Sequence, residues 1–556
     1  MVNKRPRRAS RTASTTEVPV ATSSAQLASD RPVTSSPSVP PLPPQVLDRL
    51  LARVTTVGDR DPIEVTAPFT EEVLGSVPSC TAEDVAEAVR RARSAQRAWA
   101  RTPVRTRAEV LRRYHDLVLE RQEEALDLIQ LEAGKVRAHA FEEVADAAIV
   151  AAYYARTGPG HLAPRRREGA LPGLTRTREL RHPKGVVGFI APWNYPLSMA
   201  ITDVLPALLA GNGAVLKPAQ TTPFTALWAV DMAYEAGLPE GLLQVVTGRG
   251  SVLGTPMIDA VDFITFTGST EVGRSVGEQA GRRLIGCSLE LGGKNAMLVL
   301  DDADVDDAVQ GAVAGCFASA GQLCISIERL FVAEAIADEF TARFVAAVED
   351  LVLSASLAYG GELGSLASRS QLETVEQHVD DARAKGATIL TGGRRRLDVG
   401  PLFYAPTVLA DVTEDMRLFA DETFGPVVTI SRFTDVDDAV ERANDSPYGL
   451  NASVWTGDTR RGREVAARLE VGTVNVNEAY AAAWASVDAP MGGFKDSGLG
   501  RRHGREGITK YTEVQTVAVQ RFVPVSRIPG LSQDRNARTL TAALKLMHAI
   551  PGLRRA

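Results

Sequence analysis

The chain has 556 residues, 44% of them hydrophobic and 23% charged, with a formal net charge of -6. This balance belongs to a globular protein of two or three domains and argues against general nucleic-acid binding, so the basic runs at 165–167 and 394–396 read as solvated loops. No apolar run nears the ~20 residues of a membrane span, and Cys80, Cys287, Cys316, Cys324 and seven scattered histidines fall in no metal-ligand or disulfide spacing.

Residues 1–46 are rich in Ser, Thr, Pro and Arg and poor in large apolar side chains. Burial cannot offset the entropy of ordering them, so they read as a disordered arm. Their basic, acid-poor start has transit-peptide character, but Pro6 and the proline run at 37–44 spoil an amphipathic helix. With no apolar signal core either, the expected location is the cytoplasm. Thr81-Ala82-Glu83-Asp84 reads as a helix start, followed by Val85, Ala88, Val89, Ala92 and Ala95 at helical spacing toward Trp99. One long amphipathic helix is expected through Val110, Leu111, Tyr114, Leu117, Val118, Ala125, Leu126 and Ile129, stopping near Gly134, and another over 141–156. The Gly-, Pro- and Arg-rich stretch 160–173 reads as a connection. Residues 175–181 alternate like an exposed edge strand, which needs a partner or a cover.

Three short apolar runs follow at 185–190, 213–217 and 244–246, with helical patterns between them, notably 223–236. Strand, helix, strand at this rhythm predicts an α/β fold with a parallel sheet, which takes a nucleotide at the carboxyl ends of its strands. Gly248-x-Gly250-x-x-x-Gly254 departs from the dinucleotide fingerprint in its last spacing and fits either a phosphate turn or a turn followed by helix packing. The run from Phe263 to Thr267, broken at Gly268-Ser269-Thr270, is a stronger signal. There a strand enters a helix whose first amides and dipole suit a pyrophosphate.

Phe317-Ala318-Ser319-Ala320-Gly321-Gln322-Leu323-Cys324 places small residues before a thiol, leaving room for a substrate beside it. Cys316 and Cys287 lack that setting and read as packing residues; Cys80 sits in a turn near a helix start with no base attached. Leu289-Glu290-Leu291-Gly292-Gly293-Lys294-Asn295 supplies a carboxylate, and Pro192-Trp193-Asn194-Tyr195-Pro196 a side-chain amide. Nucleophile, base and oxyanion donor are what covalent attack on an aldehyde requires, together with an acceptor for the hydride.

Taken together, these stretches resemble the aldehyde dehydrogenase superfamily over about residues 53–520. The surroundings of Cys324 up to Arg329, and Ala489-Pro490-Met491-Gly492-Gly493 leading to Gly500-Arg501-Arg502-His503-Gly504, are most similar to its bacterial succinate-semialdehyde dehydrogenases. The resemblance implies an aldehyde-dehydrogenase-like α/β fold. Its parts are a Rossmann-like cofactor domain at 47–165 and 186–292, an α/β catalytic domain at 293–496, and a small oligomerisation hairpin and strand at 166–185 and 504–521. A homodimer or homotetramer follows.

By the same resemblance Cys324 is the nucleophile, Asn194 and the Cys324 amide form the oxyanion hole, and Glu290 activates water on the thioester. Members that pass the acyl group to coenzyme A lack that glutamate, so a free acid is the expected product. The implied cofactor residues are Trp193, Lys217, Gln220, Gly248, Gly268, Ser269, Leu291, Glu422 and Phe424. Gln220 replaces a ribose-binding glutamate of NAD-preferring members, which removes repulsion against a 2′-phosphate. NADP is therefore expected, with NAD tolerated, and succinate semialdehyde is the expected small-molecule substrate.

Two departures bear on that substrate. Many members have a glutamate where this chain has Arg502; Arg502 or His503 either attracts an anionic substrate or is a surface cation. The arginines that hold a distal carboxylate in related enzymes are also missing beside Asn194 and before Cys324, which leaves Arg329, Ser486 and Arg501 as candidates. Uncharged aldehydes are the alternative substrates, and a non-catalytic relative of the fold is the alternative class. At the far end 472–477 and 511–519 read as strands. Residues 522–556 form a basic tail in which Leu540, Ala543, Leu544, Met547 and Ile550 share a helix face that either packs on the body or makes weak contact with a membrane surface.

Overall fold

The predicted apolar runs become neighbouring strands of one parallel sheet in the computed structural model, which describes residues 41–169, 174–522, 524 and 527–549. The strands are β1 (Val186–Ile190), β2 (Gly213–Lys217), β3 (Leu243–Val245), β4 (Phe263–Thr267) and β5 (Gly286–Glu290), in spatial order β3-β2-β1-β4-β5, with Gly498–Leu499 added antiparallel beside β5. Helices cover both faces, so these strands are buried on both sides and read as continuous apolar runs. Along β2, Ala214 and Leu216 join a cluster with Phe224 and Trp228, whereas Val215 points the other way, to Val85, Ala92 and Ile264. Strand order reverses at β1, and the loops after β1 and β4 therefore leave in opposite directions around a crevice.

A second sheet of seven strands carries the other half: β6 (Asn295–Val299), β7 (Ile327–Ala333), β8 (Thr388–Thr391), β9 (Thr407–Ala410), β10 (Val427–Phe433), β11 (Asn451–Trp455) and β12 (Thr473–Val476). The order is β8-β9-β10-β7-β6-β11-β12, parallel except for β8 against β9. A third sheet pairs Thr512–Gln520 with Thr175–Pro183, and Thr175–Pro183 with Arg165–Arg167.

Several expectations change in three dimensions. The N-terminal arm ends earlier than residue 46, because Pro44–Leu51 is a helix whose Leu50 is buried and whose Leu47 packs at Gly75; residues 1–40 lie outside the described part. Thr81 opens helix Ala82–Trp99 with the expected capping box to Asp84. The single long helix is two, Val104–Glu120 and Gln122–Ala133, broken where Arg121 leaves helical geometry and turns its guanidinium to Glu124 and Glu235. The next helix runs from Arg137 to Leu162, longer than expected at both ends. Arg165–Arg167 is a strand rather than a loop, since it has Thr175–Pro183 to pair with. The tail forms helix Gln533–Ala549, none of whose residues is buried, so packing of its apolar face on the body is not seen; Ile550 lies outside the described residues. Among the described residues no helix is long and apolar enough to cross a membrane.

Candidate active site

Asn194 follows β1, Gly268 follows β4 and Glu290 closes β5, so three adjacent strands deliver their carboxyl-end residues to the crevice where the order reverses. Cys324 approaches from the second sheet, on a turn just before β7. Together they line a cavity of about 340 Å³, along with Trp193, Ser269, Leu291, Glu422 and Phe424.

The Cys324 turn is held rigidly from its backbone. Ser319, Ala320 and Gly321 all have positive φ (50°, 56° and 69°), a tight reversal out of the preceding helix. A Cβ on Gly321 would lie 2.0 Å from the Gly425 carbonyl oxygen, so only glycine fits there. Asn295 Nδ2 donates to the carbonyls of Cys324 (2.8 Å) and Ser326 (2.6 Å), and Asn451 Nδ2 donates to that of Ile325 (3.0 Å). The carbonyls of Cys324 and the two residues after it are thereby pinned to the first residues of β6 and β11. Asn194 Nδ2 donates to the Gln322 carbonyl at 3.0 Å, which orients its amide and leaves the second N–H of that nitrogen for another acceptor.

Glu422 is placed by a buried ion pair. Lys294 Nζ lies 2.5 Å from Glu328, and the same carboxylate accepts the amides of Thr423 and Phe424. This fixes the loop so that Glu422 accepts the Gly293 amide at 2.9 Å, while Phe424 meets Trp193 edge to face at 5.5 Å between ring centroids.

Burial dominates the electrostatics. It pushes the Cys324 thiol up to about 12, with Glu422 and Glu290 adding to the effect. The Glu290 carboxyl rises to about 7, again chiefly through burial, opposed by the charges of Arg502 and Lys510. One of its oxygens, Oε1, is buried without a hydrogen-bond partner among the described residues, and Gly492 makes room for it: a Cβ there would lie 3.2 Å away. A carboxyl that exchanges its proton near neutrality, beside a thiol that does not ionise by itself, suits a base acting on a proton released during reaction.

Other predicted residues lie elsewhere. Lys217 and Gln220 follow the carboxyl end of β2 and Gly248 that of β3, outside this cavity. Burial brings the Lys217 amine down to about 8, and its Nζ donates to the Pro218 carbonyl at 2.8 Å. Gly248, at φ 144°, turns the chain past the Cys80 backbone, which accords with the turn-and-packing reading of its glycine run. None of the three expected substrate residues lines the cavity. Arg329 is spent on the carbonyls of Lys294, Arg442 and Ala443; Ser486 donates to the Ala482 carbonyl; Arg501 donates to those of Gly493 and Gly500. Arg502 and His503, by contrast, are not surface residues. Both are buried and both line the cavity. The partners of Arg502, which are Met199, Thr202 and Asp203, sit some 300 positions away in the chain, and nothing local in the sequence signals that meeting. Glu142 and Asp146 also enter the wall from helix Arg137–Leu162, and Tyr480 and Trp484 from the start of the short helix Ala481–Ala485 and from that helix itself, stretches that carried no motif.

A thiol, a half-ionised carboxyl and an oriented amide at the switch point of a nucleotide-type sheet define the class, and the comparisons agree. Residues 55–517 match the aldehyde dehydrogenase family, and the chain belongs to that family. A Mycolicibacterium smegmatis protein provisionally named succinate-semialdehyde dehydrogenase [NADP(+)] is 49% identical over 504 residues, 91% of this chain and 98% of the relative. The crystal structure of succinate-semialdehyde dehydrogenase from Burkholderia pseudomallei is 37% identical, with a TM-score of 0.79 over 83% of this chain and 95% of that one. A betaine aldehyde dehydrogenase from Staphylococcus aureus, in complex with NAD+, is 32% identical with a TM-score of 0.81, covering 85% and 95%.

Proposed function

We propose that this enzyme oxidises succinate semialdehyde to succinate with NADP, NAD serving less well, by covalent catalysis at Cys324. The observation that carries the reading is the shared cavity of Cys324, Asn194 and Glu290 at the carboxyl edge of the first sheet. The names of the mycobacterial relatives support the substrate and the cofactor.

The residues present fit a dinucleotide. Ser269 caps helix Thr270–Arg282, whose first-turn amides lack partners within the helix and suit a pyrophosphate, and Gly268, Leu291, Glu422 and Phe424 continue the cavity beyond the thiol. Lys217 with uncharged Gln220 suits a 2′-phosphate. When bound, the nicotinamide accepts the hydride. Asn194 Nδ2 and the Cys324 amide hold the oxyanion that forms as sulfur adds to the carbonyl carbon. The thiol, which burial holds above its ordinary range, gives its proton to a water in the cavity as the C–S bond forms. Glu290 then takes a proton from water attacking the thioester, which releases the acid and restores the thiol.

The edge strand Thr512–Gln520, paired on one side only and with Val514, Val517 and Val519 exposed, supports assembly as a homodimer or homotetramer through strand pairing. A cytoplasmic location fits a cofactor of central metabolism. Steady-state rates of NADPH formation on succinate semialdehyde and butanal, with and without coenzyme A, test the reading. Preference for the semialdehyde, with no coenzyme A requirement, is expected; equal rates on the two aldehydes would remove the substrate.

A further inference from the structure

Among the described residues in the wall of the cavity, only the side chain of Arg502 carries a permanent positive charge. Its backbone is fixed by reciprocal hydrogen bonds with Met491, another wall residue, at 2.6 and 2.9 Å. Close packing keeps it buried: a Cβ on Gly507 would lie 3.0 Å from the Arg502 carbonyl carbon and 2.3 Å from the Tyr154 hydroxyl. The guanidinium reaches the helix that follows Asn194. Nε pairs with Asp203 at 3.0 Å, Nη1 donates to the Met199 sulfur at 3.2 Å, and Nη2 donates to the Thr202 hydroxyl. Those contacts use three of the five N–H groups of an arginine, and each terminal nitrogen keeps one.

Asp203, Asp146 and Glu290 together outweigh burial and hold the Arg502 guanidinium in its charged form. Asp203 serves two cations, Arg502 and Lys510, the latter at 2.9 Å, and both hold its carboxyl below the usual range against the effect of burial. A buried guanidinium in the cavity wall, with an N–H group left over on each arm of its fork, suits a carboxylate that enters with the substrate.

We infer that Arg502 binds the distal carboxylate of an ω-oxo acid, making it the specificity-determining cation of this cavity. The inference deepens the proposed function and rests on the same cavity being the reaction site. It also gives the distal carboxylate a partner inside the cavity, whose wall does not include Arg329, Ser486 or Arg501. Of the carboxyls a cationic aldehyde would meet in the wall, Glu142 already accepts hydrogen bonds from Tyr480 (2.9 Å) and Tyr195 (3.3 Å), and Glu422 accepts the Gly293 amide at 2.9 Å.

The test compares Arg502→Met and Arg502→Lys with the wild type on 3-oxopropanoate, succinate semialdehyde, 5-oxopentanoate, butanal and 4-aminobutanal, with folding monitored by circular dichroism. Arg502→Met is expected to lower kcat/KM on succinate semialdehyde relative to butanal about a hundredfold, mostly through KM; loss of the charge that holds the Glu290 carboxyl down slows both aldehydes alike and cancels in that ratio. Arg502→Lys, which keeps the charge but loses the fork, is expected to recover about tenfold of that loss. Calorimetric titration with succinate should show binding to the wild type that Arg502→Met weakens by a similar factor. Equal losses on semialdehyde and butanal in a folded variant would overturn the inference by making Arg502 a scaffold residue, and so would no loss on either. If Arg502→Met does not fold, Arg502→Lys alone decides: a loss confined to the carboxylate aldehydes supports the inference, and an equal change on all aldehydes overturns it. A wild type that prefers butanal or 4-aminobutanal sinks both this inference and the substrate reading. Arg502-dependent preference for a shorter or longer ω-oxo acid leaves the inference standing and removes only succinate semialdehyde.

Discussion

Replacing Glu290 with Gln separates the two halves of the proposed reaction. The substitution keeps the side chain's size in a buried site and removes only the ability to take a proton. If Glu290 acts on the hydrolytic water, acylation survives: rapid mixing with saturating aldehyde and NADP should still give a burst approaching one NADPH per Cys324. Turnover after the burst should fall by about 10²–10⁴, the usual worth of a positioned general base. The pH dependence supplies the second half of the argument. The Glu290 carboxyl is raised to about 7 by burial, so the active, ionised form is about one-tenth of the total at pH 6 and about nine-tenths at pH 8. Wild-type deacylation should therefore rise roughly tenfold between those values, levelling above pH 8, and the Gln variant should lose that limb. Mass spectrometry of the quenched variant should find the acyl group on Cys324. A burst that disappears as completely as turnover would refute the assignment to hydrolysis, and an unchanged limb in the Gln variant would show that another group titrates.

Other perturbations follow from the same geometry. Asn194→Ala removes the oriented amide and should lower kcat about 10²–10³ with a small change in KM; a loss below threefold by steady-state assay would remove Asn194 from the oxyanion hole. Gly321→Ala drives a methyl group to 2.0 Å from the Gly425 carbonyl at φ 69°, and should cost about 2–4 kcal/mol in urea unfolding and most of the activity. Wild-type stability with that variant's activity lost would instead point to a purely local shift of Cys324. Gln220→Glu places a carboxylate near the proposed 2′-phosphate position. It should reduce kcat/KM for NADP about tenfold to a hundredfold and leave NAD within threefold, measured with both cofactors at one aldehyde concentration; equal effects on both would mean that Gln220 does not face the ribose.

The first sheet was legible because its signals are local. An apolar run buried on both faces, a glycine break into a helix and a capping box each follow from a few consecutive residues, and β1, β2 and β4 fall within a residue of where periodicity puts them. The long helix was misread for a related reason: apolar spacing continues through Arg121, and the break shows only in where that arginine finds its acidic partners. Arg165–Arg167 looked like solvated charge because strand pairing needs a second strand, and the sequence of the first does not reveal it.

For the site, chain chemistry alone nominated Cys324, Glu290 and Asn194, since a thiol among small residues, a carboxylate and an amide each bring reactivity with their type. Folding decided which cations matter. Arg329, Arg501 and Arg502 are alike in sequence, yet one turns to backbone carbonyls inside the second sheet, one donates from Nη1 to the carbonyls of its own loop outside the cavity, and one reaches the cavity against Asp203. The difference lies in burial and in long-range hydrogen bonding, which set the pKa of Glu290 and the charge near the thiol, and neither can be computed until distant stretches of chain are brought together.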